Sequence, residues 1–172
     1  MMPWRRVKST PSSPTHADLW SQLENVNGWI RHADAKLATL IAFVGVAGGG
    51  LYVTTQGRSP LWVLLIAAAA GCSLVVAGML AFVGLLPRRR YTPSATQERI
   101  YYRAIANDYE GPDAYARAIL TIGDELAPNL ARQIHANSCV ADRKFVLATG
   151  ATVALLVALA MLVVVAAFRV LS

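Results

Sequence analysis

Apolar positions gather into three uninterrupted blocks, separated by ordinary polar sequence. The first runs from Leu37 to Val53, the second from Leu61 to Leu86 and the third from Phe145 to Phe168, and none contains a charge. A helix needs about 20 apolar residues to cross a roughly 30 Å hydrocarbon core, so the first block sits at the lower limit and the other two span with room for tilt. Strands of a membrane barrel alternate apolar with polar residues and need only about 11 of them, so these blocks predict helices that satisfy their own backbone hydrogen bonds. A cleaved signal peptide does not fit the first block, because a long polar stretch precedes it and no small-residue cleavage site follows.

Outside the blocks the periodicity remains helical. Leu19, Leu23, Val26, Ile30, Ala33 and Leu37 recur at alternating steps of four and three, the seam of a helix that packs on another helix and runs straight into span one. Between spans two and three, Pro87–Pro93 ends span two, and a helix is expected over Ala95–Asn107 until Gly111-Pro112-Asp113 breaks it. Asp113 is a suitable N-cap for a short helix through Leu120. Gly123-Asp124 then marks another start, Pro128 fits a first helical turn, and Leu126, Leu130, Ile134, Ala141 and Phe145 keep a stripe that continues into span three. The fold class expected is an all-α integral membrane protein with three transmembrane helices. The expected organisation is a flexible basic tail (1–16), a cytoplasmic helix (17–36), spans at 37–55, 61–86 and 145–168, and a cytoplasmic helical sensing segment (87–144).

Composition supports the membrane assignment. Hydrophobic residues make up 55% and charged residues 15% of the 172 positions, well below the quarter or so of charges in a soluble domain. The charge is +6, and its distribution sets orientation because Lys and Arg collect on the cytoplasmic side. Arg5, Arg6, Lys8, Arg31 and Lys36 precede span one, and nine more basic residues, from Arg88 to Lys144, lie between spans two and three; Arg58 and Arg169 alone lie on the other side. The N-terminus is therefore expected in the cytoplasm, with the basic tail near anionic headgroups, and the C-terminus outside the cell.

No nucleophile motif, phosphate loop or metalloprotease helix is present, so an enzyme is not expected. His16, His32 and His135 are scattered, which predicts no metal centre, and Cys72 and Cys139 read as small buried residues. Two polar stripes are more suggestive: Glu24, Asn27, Arg31 and Asp34 on the first helix, and Gln133, Asn137 and Lys144 on the last. They suit either a solvated face, with Arg31 paired to Asp34 along the helix, or a small polar ligand held by amides, a carboxylate and a cation. Tyr101, Tyr102, Arg103, Asn107 and Tyr109 form a further aromatic and basic cluster, suited to stacking on a base or to an interfacial belt. Within the spans, Gly45-Val-Ala-Gly-Gly49 and the strip Ala67, Gly71, Gly78 and Ala81 predict close helix approach. The absence of deep charges argues against an ion-coupled transporter.

The stretch Val26 to Lys36 (VNGWIRHADAK) entering span one, and Leu130 to Ser138 (LARQIHANS) with Ala141 to Phe145 (ADRKF) entering the last span, resemble the transmembrane effectors of Pycsar antiphage systems (PycTM). Ile100 to Ile105 and Asp113-Ala-Tyr115 are similar to that family's middle region, so the resemblance covers Ala17 to Phe168. It implies a non-enzymatic effector in the inner membrane that answers a cyclic pyrimidine mononucleotide, cCMP or cUMP, made by a partner cyclase, and then impairs the membrane and arrests growth. By position, Trp29, Asp34 and Lys36 match the first motif, and Asn137, Ser138 and Lys144 the second. The ligand-binding candidates are Asn27, Arg31, Asp34, Lys36, Gln133, Asn137, Ser138, Arg143 and Lys144. Among them Arg31, Lys36, Arg143 and Lys144 suit the phosphate, and Asn27, Gln133 and Asn137 suit the pyrimidine edge. The lipid bilayer and further copies of the chain, as a homo-oligomer, are the other expected partners, with no cofactor, metal or nucleic-acid polymer. The competing expectation is a membrane anchor or scaffold whose cytoplasmic helices bind a protein partner without a nucleotide.

Overall fold

The computed structural model describes residues 15–57, 59–86, 110–120 and 126–171. The basic tail up to residue 14, the helix expected over Ala95–Asn107, the Tyr101–Tyr109 cluster and the Gly123-Asp124 start lie outside the described residues. Four helices are described: α1 (His16–Thr54), α2 (Leu61–Leu85), α3 (Pro112–Leu120) and α4 (Leu126–Leu171). The first, second and last are long and apolar enough to cross a membrane. No strand occurs among the described residues, and the chain is an all-helical, multi-pass membrane protein.

Local chemistry sets the helix ends. Thr15 and Asp18 form a capping box: the Asp18 N–H donates to Thr15 Oγ1 at 3.3 Å, and the Thr15 N–H donates to Asp18 Oδ2 at 2.9 Å. The Thr15 hydroxyl donates to the same carboxylate at 2.7 Å, and these bonds, the hydroxyl first, hold the Asp18 pKa below its ordinary value. At its other end α1 closes on Thr55, whose N–H bonds the Leu51 carbonyl. Gly57, at φ 93°, turns the chain toward Pro60, where α2 starts. The helix expected to begin at an Asp113 cap starts one residue earlier, at Pro112, with Asp113 in the first turn. Pro128 sits in the first turn of α4, where the missing N–H costs least.

The step of four and three continues past Leu37 through Leu40, Val44, Ala47 and Leu51, so a single seam runs nearly the whole length of α1. On α4 the matching row is Leu130, Ile134, Asn137, Ala141, Lys144, Ala148, Ala151, Leu155 and Ala158. Contacts advance along both helices together, from Leu19 and Leu23 on Leu130, through Leu37 with Ala148 and Ala151, to Ala47 with Leu155 and Ala158. The two helices therefore run parallel, while α2 runs antiparallel to both: Ala81 joins the layer of Leu37, Leu74 and Ala77 the layer of Ala47, and Val63 and Ala67 pack on Val165. Below Leu37 the layer of Leu19, Leu23 and Leu130 contains no residue of α2, so among the described residues the polar stem is a seam of α1 on α4.

The membrane core is built mostly of alanines: Ala47, Ala67, Ala70, Ala77, Ala81, Ala148, Ala151 and Ala158 are all buried. Large side chains such as Phe43, Leu65, Met79, Phe82 and Leu156 face outward. This inversion follows from the solvent, since lipid tails supply no hydrophobic drive between helices and small residues let backbones approach closely. The strip expected on α2 does this work: a Cβ on Gly71 would lie 3.7 Å from Leu51 and on Gly78 3.6 Å from Val44, and Gly84, which that strip did not include, is tighter still, its Cβ falling 2.7 Å from Leu37. Ser73 adds a hydrogen bond to the Ala154 carbonyl at 2.8 Å. The expected contact through Gly45 and Gly49 is not made among the described residues, because a Cβ on either meets none of them within 4 Å. Both cysteines are likewise exposed rather than buried, since Cys72 and Cys139 fall on outer helix faces.

Gly84→Ala is expected to destabilise the purified protein by about 1–3 kcal/mol, because Leu37 is fully buried and has no room to yield. Gly45→Ala is expected to leave thermal unfolding unchanged; equal effects would contradict this packing. A second expectation concerns acid. Because folding lowers the Asp18 pKa, the cap contributes above the ordinary carboxylate range and is lost as pH falls through the lower, folded value. Amide protection factors in the first turn of α1, with the intrinsic exchange rate divided out, should therefore fall on acidification in the wild type, and Asp18→Asn should abolish that fall.

Candidate functional site

Two polar contacts interrupt the stem seam, in the same register. Asn137 Nδ2 donates to Asn27 Oδ1 at 2.8 Å, and one heptad on, the Lys144 ammonium forms an ion pair and hydrogen bond with Asp34. In both cases the partners are 110 residues apart, as two parallel helices in fixed register require. Asn137 and Lys144 occupy seam positions on α4 that an apolar side chain would ordinarily fill, while Asn27 and Asp34 flank the seam on α1. The Lys144 side chain is 15% exposed and that of Asp34 38%. The pair thus lies between a surface bridge, worth little, and a buried one, whose loss strands a charge.

Gln133 extends the ladder, its Nε2 donating to Asn137 Oδ1 at 3.3 Å. The amides form a directed chain, Gln133 to Asn137 to Asn27, with the Asn27 oxygen as its last acceptor. On another face, Lys36 Nζ lies 5.7 Å from the Phe145 ring centroid and the His32 ring 6.5 Å from it, so cation–π attraction ties α1 to α4 where both enter the apolar zone. The opposite end is fastened by Arg169, whose guanidinium donates to the Thr54 carbonyl at 3.0 Å and to that of Gln56. A cation on the orphan carbonyls at the C-terminus of α1 is favoured by the helix dipole. Trp62 packs edge-on against Phe168 at 4.7 Å beside it.

An open groove of about 600 Å³ lies along the stem, lined among the described residues by Trp20, Glu24, Asn27 and Arg31, together with Ala17, Ser21 and Leu23. Asn27 is common to the groove and to the inter-helix ladder. Of the nine candidates, Asn27, Gln133 and Asn137 come together in the ladder, Asp34 and Lys144 in the ion pair, and Lys36 on Phe145. Arg31 lies in the groove, and Asp34 is drawn across the seam to Lys144, so the expected Arg31–Asp34 pair along the helix is replaced by one between helices. Ser138 bonds back to the Ile134 carbonyl of its own helix at 2.8 Å, and Arg143 is exposed. Sequence reasoning omitted Trp20, which falls one heptad before Asn27; that spacing is the signal that places them on one face. Phe145 and Arg169 were read only as part of a stripe and as a topology marker.

The described residues bring together no cluster of three metal-ligating side chains. Chemically, the site offers a stacking surface, amides, a carboxylate and a guanidinium beside a seam that leads into two spans.

The sequence model of the Pycsar effector protein domain (PycTM) matches residues 18–171. The Pycsar effector protein PtPycTM of Propioniciclava tarda is 38% identical over 136 residues, covering 74% of this chain and 67% of that one. No solved structure gives a significant match.

If the pair carries the register, Asp34→Ala and Lys144→Ala should be non-additive in thermal unfolding, with a coupling of about 1 kcal/mol. Asp34→Ala should be the costlier single change, since it strands the more buried charge. Strictly additive effects would show that the contact holds nothing.

Proposed function

The chain belongs to the Pycsar effector protein family, membrane effectors of antiphage defence, and from that membership we propose that it is gated by a cyclic pyrimidine mononucleotide. In this reading a partner cyclase makes cCMP or cUMP, the stem binds it on the cytoplasmic side of the inner membrane, and the spans respond by impairing membrane integrity, which arrests growth. The chain performs no catalysis itself and acts as a homo-oligomer. Its N-terminus is cytoplasmic and its C-terminus outside, in keeping with the bias of Lys and Arg toward the stem side.

The observation that carries the proposal is the shared position of Asn27. It lines the groove and accepts the hydrogen bond of Asn137, so a ligand seated there touches the bond that holds α1 to α4. Both helices continue without a break from stem to membrane, and a change in their packing at the groove is transmitted along two rigid rods. A ligand drives such a change only by binding one arrangement more tightly than the other. Arg31, which lines the groove, supplies a cation for the single phosphate charge, and the amides of Asn27, Gln133 and Asn137 supply donors and acceptors for the base.

Thermal unfolding of the detergent-purified protein with cCMP, cUMP, cAMP and cGMP tests this. At about a hundredfold excess over its dissociation constant, a bound nucleotide adds roughly 2.7 kcal/mol to stability. A shift confined to a pyrimidine nucleotide is expected, and the same nucleotide should release dye from proteoliposomes. No shift with any of the four overturns the reading in favour of a scaffold that binds a protein partner.

A further inference from the structure

Among the described residues the groove is lined by a single helix, which fixes the order of the polar groups that α1 contributes. Glu24 and Arg31 are separated by two turns of α1, and both line the groove. At 1.5 Å per residue their positions lie about 10.5 Å apart along the axis, comparable to the reach from the exocyclic edge of a pyrimidine to the phosphate of its cyclic nucleotide. Asn27 sits between them, and Trp20, one turn before Glu24, is about half exposed at 48%. An exposed indole is a poor surface for water and a good one for an aromatic ring.

Building on the proposed nucleotide gating, we propose that this groove is the ligand site and that Glu24 selects cytosine, so that the chain answers cCMP in preference to cUMP. With the phosphate on the Arg31 guanidinium, the base falls at the Trp20 and Glu24 end. A carboxylate only accepts hydrogen bonds near neutral pH. Cytosine presents its exocyclic amine there as a donor, the same pairing by which Glu and Asp read cytosine N4 in nucleic acids. Uracil presents a carbonyl oxygen at that position, which repels the carboxylate, and its one donor on that edge, the ring N3–H, lies off the position, so the carboxylate must shift away from O4 to reach it. The opposite orientation, with the phosphate toward Glu24, sets two negative charges against each other and is disfavoured.

Dissociation constants of the full-length protein in detergent for cCMP and cUMP, measured for the wild type, Glu24→Gln and Trp20→Ala, test the assignment. Both changes lie on the exposed side of α1, outside the core. The wild type is expected to bind cCMP about tenfold or more tightly than cUMP, the discrimination of one good base contact. Glu24→Gln, whose amide both donates and accepts, should bring the two within a few-fold, and Trp20→Ala should weaken both. Wild-type preference for cUMP, or a cCMP preference that survives Glu24→Gln, overturns the role of Glu24 while leaving nucleotide gating in place. Binding of neither nucleotide to the wild type overturns the gating and this assignment together.

Discussion

Lys144 occupies a seam position between two parallel helices because Asp34 reaches it from the facing one. Most of the seam, on either side, is interchangeable: leucines, alanines and valines pack nearly as well after a shift of one heptad or a small rotation. The ammonium does not. Displaced by a turn, it would lie in an apolar seam without a counter-charge, a loss that outweighs the little that sliding costs elsewhere. Asn137 on Asn27 repeats the constraint one heptad away, and two such contacts define both the axial register and the rotation of α1 against α4. Polar groups at seam positions give up some stability for a single arrangement. They also make that arrangement sensitive to anything that competes for their hydrogen bonds.

The membrane half obeys a different solvent. Its alanine core holds by close van der Waals contact, since the lipid-facing Phe, Leu and Met gain nothing from being inside. Such packing is tight where a Gly meets a Leu, as at Gly84 and Leu37, yet it contains few directional bonds. Apart from the bond of Ser73 to the Ala154 carbonyl, the directional ones lie at the ends: Asp34 with Lys144 at the stem, and Arg169 on the last carbonyls of α1 at the far side. A bundle pinned at two ends with a smooth middle moves as rods. That is the mechanical property an effector needs if a stem event is to reach the bilayer.

The spans were legible because lipid demands long uncharged helices, and the continuity of stem and span because the step of four and three never breaks between Leu19 and Leu51. The pairing of α1 with α4 was hinted at by the two polar stripes, but not their partners. Arg31 and Asp34 have the spacing of an intrahelical pair, and only the register of the facing helix shows that Lys144 takes the carboxylate instead. Gly45 and Gly49 have the spacing of a packing motif yet meet none of the described residues, because periodicity says that residues share a face and not which neighbour that face meets. The cysteines misled for a related reason: a small apolar residue in a span suits the lipid surface as well as the core. Trp20 escaped notice because an exposed indole on a stem helix acquires meaning only beside Glu24, Asn27 and Arg31 in a groove.

The central claim is that ligand at the stem changes the packing of α1 on α4. The most direct measurement is the distance between spin labels at Asn25 and Ala136, exposed positions on the two stem helices, with Cys72 and Cys139 replaced by serine and the protein in nanodiscs. Addition of the stabilising pyrimidine nucleotide should move the mean distance by about 2 Å or more, the scale of helix shifts in switching proteins. Saturation with no change in the distance distribution would contradict the account.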